Sequence, residues 1–210
     1  MRSMVSVVVL IAACGGGSSD GGGPPDAGAD AAVVDGGGGI VNGVDPALAG
    51  NWQYDGCAMF HQKYSMTSAD GHFTWTTNFF SDSDTTCTMG AYATKVVEES
   101  YSVVGAAASA AGAYNININT LGTTLKVNTA SAMTSYNASS YCGFTDWAVG
   151  VAKSVAGVAC SDGTFYAIGH VLYTIYRVTD RIQLGDLRSG NGSDASMRPT
   201  TLDIGYFTRP

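Results

Sequence analysis

Between Ala113 and Thr120 the chain reads AYNININT, with Tyr114, Ile116 and Ile118 alternating strictly with Asn115, Asn117 and Asn119. Successive side chains of a strand point to opposite faces, so this order makes one apolar face and one amide face turned to water. On a helix the same residues would scatter the isoleucines around the cylinder. Asparagine is depleted in strands, so the alternation, not propensity, decides the state. HFTWTTNFF (72–80) repeats the device, with Phe73, Trp75, Thr77 and Phe79 on one face. VEESYSVVG, TTLKVNT, GTFYAIG, VLYTIYRVT, DRIQLGDL and TLDIGYFT continue it, separated by Asp70-Gly71, Gly105, Gly122, Asp162-Gly163, Gly169 and Gly190-Asn191-Gly192.

About eight or nine short strands follow, at spacings that suit hairpins rather than parallel crossovers. ASAMTSYNAS (130–139) is the one helix candidate. The Ala-rich run 105–113 is bracketed by glycines and too short to hold a helix alone, so it reads as a hairpin loop. The class is all-β: a single closed antiparallel barrel or strongly curved sheet, because closure removes exposed edges. A β-sandwich is the alternative.

Ahead of this domain lies a different kind of sequence. Arg2 precedes an apolar stretch to Ala13, too short to span a bilayer, which needs about 20 apolar residues. It reads as an export signal covering residues 1–13. Leu10-Ile11-Ala12-Ala13-Cys14 resembles the lipobox of bacterial lipoproteins. That resemblance implies cleavage before Cys14, acylation of its thiol and of the new amino terminus, and anchorage in a membrane. Burial gains about 0.8 kcal/mol per lipid CH₂, and stable anchoring needs more than one chain. Gly15 follows Cys14, without the aspartate that enteric bacteria often use for inner-membrane retention. The expected site is therefore the bacterial outer membrane, with the domain on the periplasmic or cell-surface side. Residues 14–45 are dominated by Gly, Ala, Asp and Pro and read as a disordered tether. A coil of that length spans on the order of 30 Å. Asp20, Asp26, Asp30, Asp35 and Asp45, with no basic residue among them, should keep it off anionic headgroups.

The folded domain is then residues 46–210. Its four cysteines, Cys57, Cys87, Cys142 and Cys160, suggest two disulfides in an exported chain. Three connectivities are possible, and the local one, Cys57 with Cys87 and Cys142 with Cys160, is preferred. Zinc is the rival reading, but C-x₂-C pairs are missing and the histidines lie far apart. The formal charge of the whole chain is −7. Basic residues from Lys63 to Arg198 are scattered without a stripe, which argues against a nucleic-acid partner. The folded domain lacks G-x-S-x-G, H-E-x-x-H and a P-loop, and the one G-x-S-x-G of the chain, Gly17 to Gly21, falls in the Gly-rich tether without the strand and helix a nucleophile elbow needs, so the chain is not read as an enzyme and no cofactor or metal is expected. His61, His72 and His170 read as surface or sheet residues. Asp82 and Asp84 in SDSDTT read as a solvated turn in preference to a calcium loop.

Gly50-Asn51-Trp52 is similar to the G-x-W that opens the first strand of lipocalins. There the tryptophan closes one end of an eight-stranded barrel and an arginine from a late strand stacks on it. Trp52 with Arg181 or Arg198 is the corresponding expectation. A longer series also carries a resemblance, comprising Gly50, Trp52, Cys57, Asp84, Cys87, Gly112, Tyr114, Cys142, Gly143, Trp147, Gly185, Asp186, Arg198 and Pro199. In order, these resemble the domain of the adenomatosis-polyposis-coli-down-regulated Wnt inhibitors and their bacterial relatives. The resemblance implies a lipocalin-like barrel that takes up acyl chains or other apolar ligands. The animal proteins carry two such domains and a membrane span, so Wnt itself is not implied.

Phe73, Trp75, Tyr101, Tyr114, Phe165 and Tyr173 are the aromatics expected to line a ligand site. The same residues would equally suit a filled barrel whose partner is an envelope protein. The anchor stands or falls by itself: Cys14→Ser is expected to leave the domain folded and release it from membranes. Membrane fractionation identical to that of the parent chain would contradict lipidation.

Overall fold

The computed structural model describes residues 39–58, 60–161 and 163–210; the signal segment, Cys14 and the tether before Gly39 lie outside the described residues. Among the described residues eleven strands form in chain order: β1 (Gly50–Tyr54), β2 (Gln62–Ala69), β3 (His72–Phe79), β4 (Ala93–Ala106), β5 (Tyr114–Val127), β6 (Ala152–Ser154), β7 (Ala159–Cys160), β8 (Gly163–Thr164), β9 (Val171–Val178), β10 (Arg181–Leu184) and β11 (Phe207–Thr208). One helix, α1 (Ala130–Ala138), follows β5 and is capped by the Thr129 hydroxyl. The expected helix is present, and the hairpin loop expected at 105–113 forms over 107–113, β4 running on through Gly105 and Ala106. GTFYAIG and TLDIGYFT each yield a strand of only two residues, and Leu202 of the latter adds an isolated bridge to Gly185.

Eight strands close an antiparallel barrel in the order β4-β3-β2-β1-β11-β10-β9-β5, sealed by β5 against β4. A barrel rather than a sandwich is therefore the architecture. Strand direction defines two ends. The turn at Asp70-Gly71, the 107–113 loop and the Pro46–Leu48 turn lie at the near end, where the chain enters from Gly39. The loops 55–61, 80–92, 128–170 and 185–206 lie at the far end. Disulfide Cys57–Cys87 ties two far-end loops together, and Cys142–Cys160 ties the 128–170 excursion to itself. The local pairing is thus the one that forms.

Inward positions follow the period-two reading. Phe73, Trp75 and Thr77 are buried on β3, and Ile116 and Ile118 on β5. The near half is packed solid: Phe73 stacks on Tyr101 at 4.3 Å, and Trp75 meets Phe207 edge-on at 5.4 Å. Tyr64, Met66, Tyr176 and Ile182 complete this core. Burial pushes the Tyr64 phenol up to about 12, and Tyr176 is also raised, by burial and by its bond to Asp45. A second cluster around Trp147 packs α1 and the 128–170 excursion onto Leu125 and Val127 of β5.

Two expectations need correction. The domain begins before Pro46. Val41 and Val44 bridge each other, Gly43 O accepts from Val103 N at 2.7 Å, and Asp45 is buried. The Asp45 carboxylate accepts from Tyr176 Oη and from Ala47 N, each at 2.8 Å. Composition places residues 41–45 with the tether, but a buried acid with a β9 partner makes them part of the barrel. The amide face of β5 is also not simply wet: Asn115, Asn117 and Asn119 are half-buried, and Asn117 accepts from Arg198.

The near end closes on Trp52, 1% exposed, whose Nε1 donates to Leu48 O at 2.8 Å. The guanidinium on its ring belongs to Arg209, 4.2 Å from the ring centroid, and Arg209 Nη1 also donates to Ala49 O at 3.1 Å. Neither expected arginine takes that place. Arg181 pairs with Asp180 and lies over Tyr206, while Arg198 donates to Ile116 O and Thr174 O on the outer wall. The glycine of G-x-W is explained here: a Cβ on Gly50 would stand 2.5 Å from Arg209 Nη1, and its φ of +120° suits glycine alone. Arg209→Ala is expected to lower stability by about 1 kcal/mol in chemical denaturation. Arg181→Ala should leave the midpoint unchanged, and the reverse ranking would move the closure to Arg181.

Candidate functional site

β5 is longer than its neighbour β9. Its first half pairs with β9, from Tyr114↔Tyr176 to Asn119↔Val171, and its second half pairs with β6. Where the two partners part, Thr120 still exchanges hydrogen bonds with Gly169 N and His170 O and Thr123 O accepts from Val155 N, which leaves a gap at Leu121 and Gly122; residues 164–166 line the cavity on this side. A register shift on β5, with Leu121 unpaired between Glu98↔Gly122 and Glu99↔Thr120, turns Thr123 inward at this level.

A cavity of about 90 Å³ lies behind the gap, toward the far end. β3 contributes Trp75, β4 contributes Lys95, Val97 and Glu99, and β5 contributes Ile118 and Thr123. Leu172 and Thr174 come from β9 and Leu184 from β10, with Gly185 and Leu187 beyond it. Thr164, Phe165 and Tyr166 form the outer side. Gly185 is required by space: a Cβ there would meet Thr174 Oγ1 and Pro199 Cβ, each at 2.7 Å.

The wall is apolar apart from a few groups. Trp75 Nε1 donates to Glu99 Oε2 at 2.8 Å. Burial pushes the Glu99 carboxyl up to about 7, against the downward pull of that hydrogen bond and of the Lys95 charge. Tyr166 is raised as well, by burial and then by the neighbouring Glu99. Tyr166 stacks on His170 at 3.7 Å, and burial lowers that imidazole. Lys95 is 6% exposed and lies 6.0 Å from the Phe165 ring. Chemically, this is an oily recess with an acid that changes charge near neutrality.

Of the six expected lining aromatics, Trp75 and Phe165 reach the cavity. Phe73 and Tyr101 are locked in the solid near half, and Tyr114 packs there against Tyr176. Tyr173 lies on the outer wall beneath Arg198, 5.3 Å from its guanidinium carbon. Glu99 and Lys95 escape a search for aromatics. The signal for them is two charged residues at inward positions of a strand otherwise carrying Val97, Tyr101 and Val103.

No family model matches the chain, and no curated protein matches it.

The other candidate groups stand apart. Asp84 is buried, yet amide hydrogen bonds from Met89 and Thr88 and one from the Thr86 hydroxyl outweigh that burial and lower its carboxyl. It braces its own loop. His61 Nδ1 lies 3.2 Å from Asp84 O, whereas His72 is exposed on β3. Among the described residues no three metal-ligating side chains cluster.

The raised Glu99 carboxyl makes stability depend on pH. Between the ordinary 4.5 and about 7 the folded chain holds a proton that the unfolded chain releases. Stability conferred by this site is thus complete below 4.5 and falls as pH rises through 7. Glu99→Gln keeps an acceptor for Trp75 and removes the charge. It is expected to melt like the parent at pH 4.5 and to exceed it by up to about 3 kcal/mol at pH 8. Parallel melting curves at both pH values would show that Glu99 titrates normally.

Proposed function

We propose that the chain is an outer-membrane lipoprotein whose barrel binds a small apolar or amphipathic ligand, acting as a binding module and not as a catalyst. One observation carries this reading: beyond the aromatic core of the near half the barrel holds a recess of about 90 Å³ that no side chain fills. A protein selected only for stability gains from filling such a space, since a void forfeits dispersion contacts. The recess is walled by Val97, Ile118, Leu172, Leu184 and Leu187, with Glu99, Lys95 and a few hydroxyls among them, the usual makeup of a ligand site.

The volume sets the class of ligand. At about 90 Å³ the cavity holds a small body or the terminal part of a chain, well short of a whole long acyl chain. The acyl-chain expectation drawn from the family resemblance is thereby narrowed to a short chain or a chain end. Lipid anchorage at Cys14 complements this reading. The chain enters at the near end, so an anchored barrel carries its cavity on the opposite side from the membrane. Among the described residues no helix is long and apolar enough to cross a bilayer.

A second reading, a structural or protein-interaction lipoprotein, draws on the solid near half and on exposed Phe60 and Met89 in two far-end loops. Val97→Phe separates the two, because its ring fills the hollow between Lys95 and Glu99. The variant is expected to keep its stability within about 1.5 kcal/mol. It should lose at least tenfold in affinity for short-chain amphiphiles measured by calorimetry. Undiminished affinity would place binding elsewhere, and a parent chain that takes up none of them would favour the second reading.

A further inference from the structure

We infer that the cavity selects a small amphipathic primary amine, seating its ammonium on Glu99 and its alkyl body against Val97 and Leu172. This rests on the binding reading above and adds the chemical class of the ligand.

Glu99 offers an incompletely used acceptor. Oε2 takes the Trp75 indole N–H at 2.8 Å, and Oε1 accepts no hydrogen bond from a described residue although Glu99 lines the cavity. A carboxylate among apolar walls is costly unless a donor or cation meets it. A ligand ammonium supplies both, in a charge-assisted hydrogen bond. A ligand carboxylate seated on Glu99 would place two like charges together, and a hydroxyl there would bring a donor without a charge.

The surroundings agree. Trp75, Phe165 and Tyr166 present aromatic surface at the same cavity, and aromatic faces attract cations. Lys95 is the second charged group of the lining, four residues before Glu99 on the same face of β4. At strand spacing their Cα atoms are about 13 Å apart, with Val97 between them. The Lys95 charge helps to hold Glu99 ionised. The ligand is oriented by Glu99 itself, head on the carboxylate and alkyl body across Val97. A volume of about 90 Å³ suits an ammonium with a few carbons.

The test uses the soluble chain from Cys14→Ser with n-butylamine, n-butanol and butyrate as probes at pH 8. The Trp75 indole N–H resonance reports binding beside Glu99. Butylamine is expected to bind about tenfold more tightly than butanol, with butyrate the weakest. Glu99→Gln should abolish the preference, so that butylamine binds the variant no more tightly than butanol binds the same variant. At pH 5, with Glu99 protonated and Tyr166, His170 and Lys95 as its charged or titratable neighbours, the preference for the amine should shrink toward that of the variant. Equal affinities for the three probes, a preference for butyrate, or an amine affinity indifferent to Glu99→Gln would overturn the amine assignment while leaving a binding cavity. Failure of all three probes to bind would remove the binding reading and this inference with it.

Discussion

The structure depends on how β5 satisfies its backbone. A 14-residue strand presents hydrogen-bonding groups along both edges, and an unpaired edge is a liability in water. One edge is covered throughout by β4, itself 14 residues long. The other cannot be covered by β9, which is 8 residues long, so β6 takes over beyond Asn119. Two partners on one edge leave a seam between them. The 128–170 excursion, its disulfide and its Trp147 cluster all serve to bring β6 and residues 164–166 to that seam. The cavity is thus a by-product of mismatched strand lengths.

Much of the barrel can be read from the chain because its faces are chemically distinct. Tyr114, Ile116 and Ile118 against three asparagines, and Phe73, Trp75 and Thr77 against His72, Thr74 and Thr76, fix which side is in. A one-residue slip would turn each set outward, so the pattern specifies register as well as state. The cysteines are equally legible, since hairpin loops bring neighbours in sequence together at one end. Tertiary partners are less so. The role of closing arginine is visible in the G-x-W resemblance, but its occupant is set by which strand lies beside β1. That strand is the two-residue β11, and Arg209 directly follows it.

The site is legible only in part for a related reason. Alternation says that Phe73, Trp75 and Tyr101 point inward, but it does not say which inward residues meet one another and which meet a space. Depth along the barrel decides that. Phe73 and Tyr101 pair off below, whereas Trp75, one step higher on β3, has Glu99 beside it and a gap beyond. Tyr173 belongs to the opposite face of β9 from Leu172 and Thr174, and the loop carrying Arg198 covers it. The buried acid of Asp45 shows the same limit from the other side. Amid glycine, alanine and aspartate it looks like tether, and only the Tyr176 hydroxyl on β9 gives it a place.

The attachment at the near end has a mechanical meaning. A pull on the chain at Gly39 is borne first by the Val41–Val44 turn, then by the Gly43–Val103 hydrogen bond and the Asp45–Tyr176 contact. All of these lie on one side of the solid aromatic layer. Force drawn through a leash would therefore be absorbed by that layer before it could distort the hollow half, much as a keel takes strain without flexing the deck above it.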